Sequence, residues 1–160
     1  MKVISYRYQG KSGVGVVAGA NGVIALSKAA PALPDDLRKI LQVDPRLAAV
    51  RAATTGKSAD VSLNDIEFDP VIREPHATWA LALNYKLHLE ETGLTTSLEF
   101  PQIFLRMPIC QVGHNMPLWA PSPKIAEAYD YEGELAVVIG KPGRFIKREQ
   151  AFDRAALVPG

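Results

Sequence analysis

The fold of this chain is decided by the stretch YDYEGELAVVIG, residues 129–140. Its second half, Leu135–Ile139, is a short apolar run followed by glycine and proline, a pattern that predicts a buried β-strand. If the extended backbone continues toward the N-terminus, successive side chains alternate between the two faces of the strand. Glu132 and Glu134 are therefore expected to point the same way, with Asp130 on the same face.

Two carboxylates on one face of a strand indicate a site for a divalent cation. On an extended backbone the Cα atoms of Glu132 and Glu134 are expected roughly 6.5–7 Å apart, so their side chains can converge on one ion. Ionised carboxylates beside a buried strand are costly without a partner. All-oxygen ligands favour Mg²⁺, Mn²⁺ or Ca²⁺ over Zn²⁺. The alternative is an edge strand whose glutamates meet water or nearby Lys and Arg side chains.

Composition narrows the classes of protein to be considered. The 160 residues suffice for one ordinary domain, or for a small domain plus part of a larger one. A net charge of +1 without a basic block argues against nucleic acid or an anionic membrane as a partner. We expect no signal peptide and no membrane span, because the apolar runs are too short. The single cysteine, Cys110, excludes an intramolecular disulfide and fits a reducing compartment, so a cytoplasmic location is expected.

The N-terminal part of the chain predicts a small α+β unit. Apolar runs separated by turn residues predict the strands of an antiparallel meander at Val3–Tyr8, Val14–Val17 and Val23–Leu26. Acidic residues and prolines at helix starts predict two short helices, from Pro34 to about Leu41 and from Arg46 to about Thr54. An extended segment follows to Ile72. We therefore predict one domain over residues 1–72 and a second over residues 73–160.

The second part predicts a strand, a helix and another strand. Thr78–Leu83 is a short apolar strand that continues into a helix ending at Glu91, and residues 95–99 predict a mobile loop. His88 and Glu91 stand at i, i+3 on that helix and can touch. A carboxylate beside an imidazole is how a general base is oriented. The alternative is an exposed helix in which His88 has no role.

The rest of the second part predicts a strand that ends in an arginine, an irregular segment and a further helix. Gln102–Arg106 predicts a strand that ends in an arginine, and a guanidinium can hold a substrate carboxylate through two hydrogen bonds. Proline-spaced residues 108–123 predict irregular structure, and a further helix is predicted from Arg148 into Ala151.

Three stretches, in this order and at these separations, resemble the fumarylacetoacetate hydrolase family. They are ALNY-x-x-H-x-x-E at residues 82–91, FLRMP continuing to VGH at residues 104–114, and DYEGELAVVIGK at residues 130–141. The match covers about Ala82 to Asp153, and the N-terminal unit is similar to the small domain that often precedes the family's catalytic core. The resemblance implies an α+β fold in which a small N-terminal α/β unit precedes part of a mixed β-roll core.

The resemblance also implies a metal site and a set of catalytic groups. It implies that Mg²⁺ or Mn²⁺, with Ca²⁺ as a further option, is bound by three carboxylates, of which Glu132 and Glu134 match the first two. The family's histidine–glutamate pair lies on a lid segment that becomes ordered over substrate. The implied catalytic residues are His88 and Glu91, and the implied substrate-binding residues are Tyr85 and Arg106.

The implied reaction is hydrolysis of a carbon–carbon bond in a β-diketo acid, so the expected partner is a small oxo or diketo acid. The third metal ligand is expected just past Gly160, which predicts a C-terminally shortened family member with impaired activity. The alternatives are a non-enzymatic remnant or interaction module, and a related oxo-acid decarboxylase or isomerase. Because family members are usually dimers or larger, a homodimer is also expected.

Overall fold

The computed structural model describes residues 1–93, 100–126 and 129–157. Two compact units are formed, one by Met1–Arg73 with the described chain from Val112 onward, and the other by Glu74–Gln111. The loop predicted at residues 95–99 lies outside the described residues. The division into domains at residues 72 and 73 stays a prediction.

The larger unit contains a five-stranded antiparallel sheet and three short helices. Their order along the chain is β1 (Val3–Tyr8), β2 (Lys11–Ala18), β3 (Gly22–Ala25), α1 (Leu26–Ala29), α2 (Leu37–Val43), α3 (Ala48–Thr54), β4 (Val61–Ser62) and β5 (Glu67–Phe68). The strand order across the sheet is β4-β3-β2-β1-β5. The predicted meander is therefore confirmed, although β3 ends at Ala25 because Leu26 already begins α1.

One face of this sheet forms the core together with the helices. Val14 and Val16 alternate with glycine and lie on the same face of β2, where they pack against α2 and α3. Ile40 and Val50 are fully buried in this contact. The complete core cluster consists of Val14, Val16, Leu26, Leu37, Ile40, Leu41, Leu47, Val50 and Ala156.

Aspartate carboxylates begin both of the longer helices of this unit. Asp36 accepts a hydrogen bond from the N–H of Lys39 at 3.0 Å at the start of α2. Asp44 accepts from the N–H groups of Ala48 at 2.8 Å and Ala49 at 2.9 Å at the start of α3. Carboxylates at these positions satisfy backbone donors that have no partner within the helix. The two predicted helices are confirmed, but their predicted first residues are not, because α2 begins at Leu37 rather than Pro34 and α3 begins at Ala48 rather than Arg46.

Asp60 joins β3 to α1 through its side chain. One carboxylate oxygen accepts from the N–H of Ala25 at 3.0 Å, and the other lies 3.1 Å from Nζ of Lys28. Burial by itself raises the pKa of the Asp60 carboxyl, but the Ala25 hydrogen bond and the charge of Lys28 outweigh burial, and the pKa lies below its usual value of 3.8. Asp60 is therefore held in its charged form in the folded chain.

We expect Asp60→Asn to lower the free energy of unfolding at pH 7 by about 1 kcal/mol, because Lys28 loses its charged partner while the amide can still accept from the Ala25 N–H. The folded-state pKa of Asp60 lies below the unfolded value of 3.8, so its stabilisation is present above that pH and is lost as the pH falls through the folded-state pKa. The stability difference measured by urea unfolding should shrink below about pH 4.

The control for this experiment is Asp65→Asn, which changes an exposed acid of the neighbouring 3₁₀ turn, Leu63–Asp65. This variant should match the wild type at every pH. A stability difference for Asp60→Asn that stays constant from pH 7 to pH 3 would contradict the ionic role of Asp60.

The smaller unit consists of a two-stranded antiparallel hairpin and one helix. Its elements are β6 (Thr78–Ala82), α4 (Lys86–Glu91) and β7 (Gln102–Arg106), followed by a 3₁₀ turn, Pro108–Cys110. Trp79 faces Leu105 and Leu81 faces Ile103 across the hairpin. These three elements confirm the prediction for this part of the chain. Cys110 is a free, exposed thiol.

The C-terminal part of the larger unit corrects the prediction of a buried strand over Leu135–Ile139. Only β8 (Val138–Ile139) is a strand, and it pairs with β9 (Ala155–Leu157). Leu135 is 64% exposed and Val137 is 50% exposed. The physical reason is pairing, because among the described residues β9 is the partner of this stretch and it reaches only Val138 and Ile139.

The remaining expectations about the fold have mixed outcomes. The predicted helix at Arg148 is a 3₁₀ helix, Arg148–Arg154, which leads directly into β9. The α+β class is confirmed, whereas the mixed β-roll stays a prediction. No helix of the described residues is both long and apolar enough to cross a bilayer.

Candidate functional site

The predicted histidine–glutamate pair is formed on α4. The helix begins after Tyr85, whose backbone is extended, and Thr92 and Gly93 end it, Gly93 with a φ of 70°. Nδ1 of His88 lies 3.9 Å from Oε2 of Glu91, one helical turn away. This distance is longer than that of a hydrogen bond. His88 is 41% exposed and Glu91 is 78% exposed at the side chain, so both can be reached from solvent.

The connection from β6 to α4 positions this pair. Leu83 has a φ of 52°, in the left-handed region that a leucine rarely adopts, and turns the chain from the strand toward the helix. The N–H of Leu89 donates to the carbonyl of Tyr85 at 3.0 Å and forms the first helical turn. Tyr85 is half-exposed at this helix start. Tyr85 and His88 therefore both belong to the first turn of α4.

Arg106 is the last residue of β7 and lies opposite Thr78. Its guanidinium lies 5.4 Å from the centroid of the Phe104 ring. Phe104 and Arg106 are separated by two residues on a strand and share one face. A cation–π contact of this kind orients the guanidinium while its N–H groups stay available for a planar carboxylate. Phe104 was not among the predicted site residues, although its i, i+2 spacing from Arg106 was the available signal.

Glu132 and Glu134 lie in the larger unit, in a stretch without regular secondary structure, and both are exposed. The strand expected to carry them does not include these residues, for the reason of pairing given above, and their alignment on one face stays a prediction. Asp130, expected on the same face, accepts a hydrogen bond from the N–H of Tyr131 at 2.8 Å. Both expectations for these glutamates, a metal site and an edge strand whose glutamates meet water or nearby Lys and Arg side chains, stay predictions.

The donor chemistry of the glutamate pair fits a hard divalent cation, but the number of ligands is small. Carboxylate oxygens are the ligands that Mg²⁺ and Mn²⁺ prefer. Across residues 1–93, 100–126 and 129–157, no three His, Cys, Asp or Glu side chains are gathered as a metal-binding group. Glu132 and Glu134 would thus supply two ligands and leave much of the coordination to water.

The stretch that carries the glutamates is anchored at its C-terminal end. The N–H groups of Gly140 and Lys141 both donate to the carbonyl of Arg154, at 2.7 and 3.1 Å. Gly140 also packs closely on Ala156, where an added Cβ would lie 2.6 Å from the Ala156 Cβ and 2.9 Å from its Cα. Ala156 belongs to the core cluster, and Val138 packs against that cluster. The close approach requires glycine at position 140.

We expect Gly140→Ala to lower the free energy of unfolding by about 1–3 kcal/mol, because the new methyl group must displace the backbone of Ala156. The matched control is Gly133→Ala between the two glutamates, where an added Cβ meets no atom within 4 Å. The control should stay within about 0.5 kcal/mol of the wild type in urea unfolding. Hydrogen exchange of the Lys141 amide should accelerate only in Gly140→Ala, and equal effects of the two variants would contradict the anchor.

Comparison with known proteins identifies the family. Residues 77–157, from just before β6 through β9, match the sequence profile of fumarylacetoacetate (FAA) hydrolase, C-terminal. Uncharacterised proteins of Staphylococcus aureus strains USA300 and NCTC 8325 are each 38% identical to the chain over 115 residues, which is 70% of this chain and 37% of those proteins. The chain belongs to the fumarylacetoacetate hydrolase family, as the sequence motifs indicated.

The matches cover different shares of this chain and of its relatives. The chain spans little more than a third, 37%, of the length of the curated relatives it matches. The profile match begins before Ala82 and continues past Asp153, so it is wider at both ends than the motifs alone indicated. It includes all six predicted site residues.

Proposed function

We propose that this chain carries catalytic and metal-binding groups of a divalent-metal-dependent hydrolase that cleaves carbon–carbon bonds in β-diketo acids of the fumarylacetoacetate or acylpyruvate type. The observation that supports this most directly is the His88–Glu91 contact at 3.9 Å within the family-matched residues. Members of this family are generally dependent on a divalent metal. The coarser conclusion, membership of an enzyme family of hydrolases and isomerases, follows from the match itself.

Arg106 and Tyr85 are the groups that we assign to substrate binding. A guanidinium offers two parallel N–H donors to a carboxylate, and the Phe104 ring holds this guanidinium at the end of β7. Tyr85 adds a half-exposed hydroxyl at the start of α4, where it can donate to a carbonyl oxygen. This pair of donors fits an acid that carries a carboxylate and one or more keto groups.

His88 is the group that we assign to proton transfer. It accepts a proton from a water molecule as the water oxygen bonds to the carbonyl carbon distal to the carboxylate. The carbon–carbon bond then breaks, and its electron pair remains on the departing fragment as an enolate that is protonated to the oxo acid. Glu91 orients the imidazole through Nδ1 and stabilises its positive charge.

Glu132 and Glu134 are the residues that would hold Mg²⁺ or Mn²⁺. Such an ion supplies Lewis-acid stabilisation of enolate charge when it is bound. The chain's own part is to present two exposed carboxylates a few residues before the anchored strand β8. Gly133, which lies between the two glutamates, has open surroundings, since an added Cβ there meets no atom within 4 Å.

We expect the chain to bind Mn²⁺ in a calorimetric titration, and Glu132→Gln and Glu134→Gln each to weaken that binding by about tenfold to a hundredfold, because each removes a charged ligand. Glu149→Gln, in the exposed 3₁₀ helix, is the matched control and should bind as the wild type does. A folded chain that binds no Mn²⁺, or one in which all three variants bind alike, would contradict the assignment of the metal ligands.

We expect His88→Gln to reduce the cleavage of an acylpyruvate in the presence of Mn²⁺ by about 10²–10⁴-fold, the usual contribution of a positioned general base. His76→Gln, in the same unit, is the control and should leave the rate unchanged. The products separate the alternatives, since hydrolysis releases pyruvate and a carboxylic acid, whereas a decarboxylase releases carbon dioxide. Release of carbon dioxide together with the decarboxylated keto compound, and without pyruvate, would overturn the hydrolase assignment in favour of the oxo-acid decarboxylase.

A second candidate function, an interaction module, is favoured by the surface of the β6–β7 hairpin. Trp79, Leu81, Ile103 and Leu105 form two facing pairs on one face of the hairpin, and each is at least 40% exposed. An apolar sheet face of this kind marks a protein-binding surface, for which a second copy of the chain is one partner. A folded chain that neither binds Mn²⁺ nor cleaves acylpyruvates would favour this function.

A further inference from the structure

A cleft of about 600 Å³ lies in the larger unit, along β1, β2 and β5 of the five-stranded sheet. Ile4 and Val17 line it, and their neighbours Val3 and Val16 point to the opposite face because side chains alternate along a strand. The other apolar walls are contributed by Leu63, Phe68, Val71 and Val112. None of these residues takes part in the catalytic or metal-binding groups described above.

One wall of the cleft is fixed by a close backbone contact. A Cβ added to Gly113 would overlap the carbonyl oxygen of Phe68, so only glycine permits this approach. The next residue, His114, packs its ring edge-on against Phe68 with centroids 5.1 Å apart and an interplanar angle of 90°. The chain at Val112–His114 is therefore held beside β5, and it places the His114 imidazole at the cleft.

The polar groups of the cleft are of two kinds. Ser5 donates to the carbonyl of Val71 at 2.8 Å, and the Asp69 carboxylate accepts from Arg7 and Ser12, each at 3.1 Å, so these groups already have partners. The remaining polar side chains are Lys2 and His114. No residue in the described part of the chain forms a hydrogen bond or an ion pair with either the Lys2 ammonium or the His114 imidazole.

We propose that this cleft binds a small carboxylate with an apolar body. The apolar walls are suited to burying an aromatic or branched hydrocarbon group, which is the usual source of affinity in a pocket of this size. The ammonium of Lys2 and an N–H of His114 are donors without an acceptor among the described residues, and a carboxylate accepts from both in charge-assisted hydrogen bonds. The negative charge of Asp69 does not oppose this ligand, because Arg7 and Arg73 lie beside it at 3.1 and 3.9 Å.

The test is a titration of the ¹⁵N-labelled chain with 3-phenylpropionate, followed by amide chemical shifts. Saturable shifts are expected in β1, β2 and residues 112–114. The uncharged analogue 3-phenylpropan-1-ol should bind about tenfold to a hundredfold more weakly than the acid, because it lacks the charged acceptor of both charge-assisted hydrogen bonds. Lys2→Met and His114→Gln should each weaken binding of the acid by about tenfold, the loss expected when one charge-assisted hydrogen bond is removed, while leaving the alcohol unaffected.

Two further variants separate this site from non-specific effects. Lys39→Met removes an exposed ammonium on α2, outside the cleft, and should bind the acid as the wild type does. Val17→Phe narrows the cleft and should weaken binding of the acid and of the alcohol by the same factor, provided that the spectrum of the variant remains that of a folded chain. Equal affinity for acid and alcohol would overturn recognition of the carboxylate. Chemical-shift changes that do not saturate would overturn the site itself. Equal weakening of binding in Lys2→Met and Lys39→Met would do the same.

Discussion

The structure depends on the burial of β2 against α2 and α3. Val14 and Val16 contribute one side of this contact, and the fully buried Ile40 and Val50 contribute the other. Residues far along the chain use the same core, because Ala156 of β9 is a member of the cluster and Val138 packs against it. The position of the glutamate-bearing stretch is thus tied to a core built by the first 50 residues. A loss of that core would release the anchor of the candidate metal ligands as well.

Apolar side chains are distributed unevenly between the N-terminal region and the family-matched region. Among the described residues, the buried apolar side chains lie between Tyr6 and Val50 and at Ala155 and Ala156. The large exposed ones lie mainly from Trp79 onward, within or at the limits of the family match. Burial of apolar surface is the main favourable term in folding. The family-matched residues therefore draw little stability from their own packing in this chain, and their apolar surface is available for contacts with other polypeptide.

Local patterns predicted most of the secondary structure, and long-range pairing accounts for the main error. β1 and β7 have the predicted bounds, because turn residues flank short apolar runs. Asp36 and Asp44 act at the helix starts where their sequence positions indicated. The strand predicted at Leu135–Ile139 failed because a strand needs a partner, and a partner distant in the sequence cannot be deduced from the run itself. The role of Ala155 and Ala156 was missed for the same reason, since small residues near the end of the sequence carry no signal of core packing.

In the candidate site, sequence spacing predicted which residues of one helix lie close together. It did not predict the local structure of the segment that carries the two glutamates. The i, i+3 spacing of His88 and Glu91 fixed their proximity, because helical geometry alone determines it. The shared orientation expected for Glu132 and Glu134 had no comparable constraint, because it depended on a strand that does not include these two residues. Cys110 has a practical consequence of a different kind. As the only thiol of the chain, and an exposed one, it offers a single attachment point for a spectroscopic label on the unit that carries His88. The same thiol can form a disulfide only with another molecule, so covalent dimers in air-exposed samples would report oxidation rather than assembly.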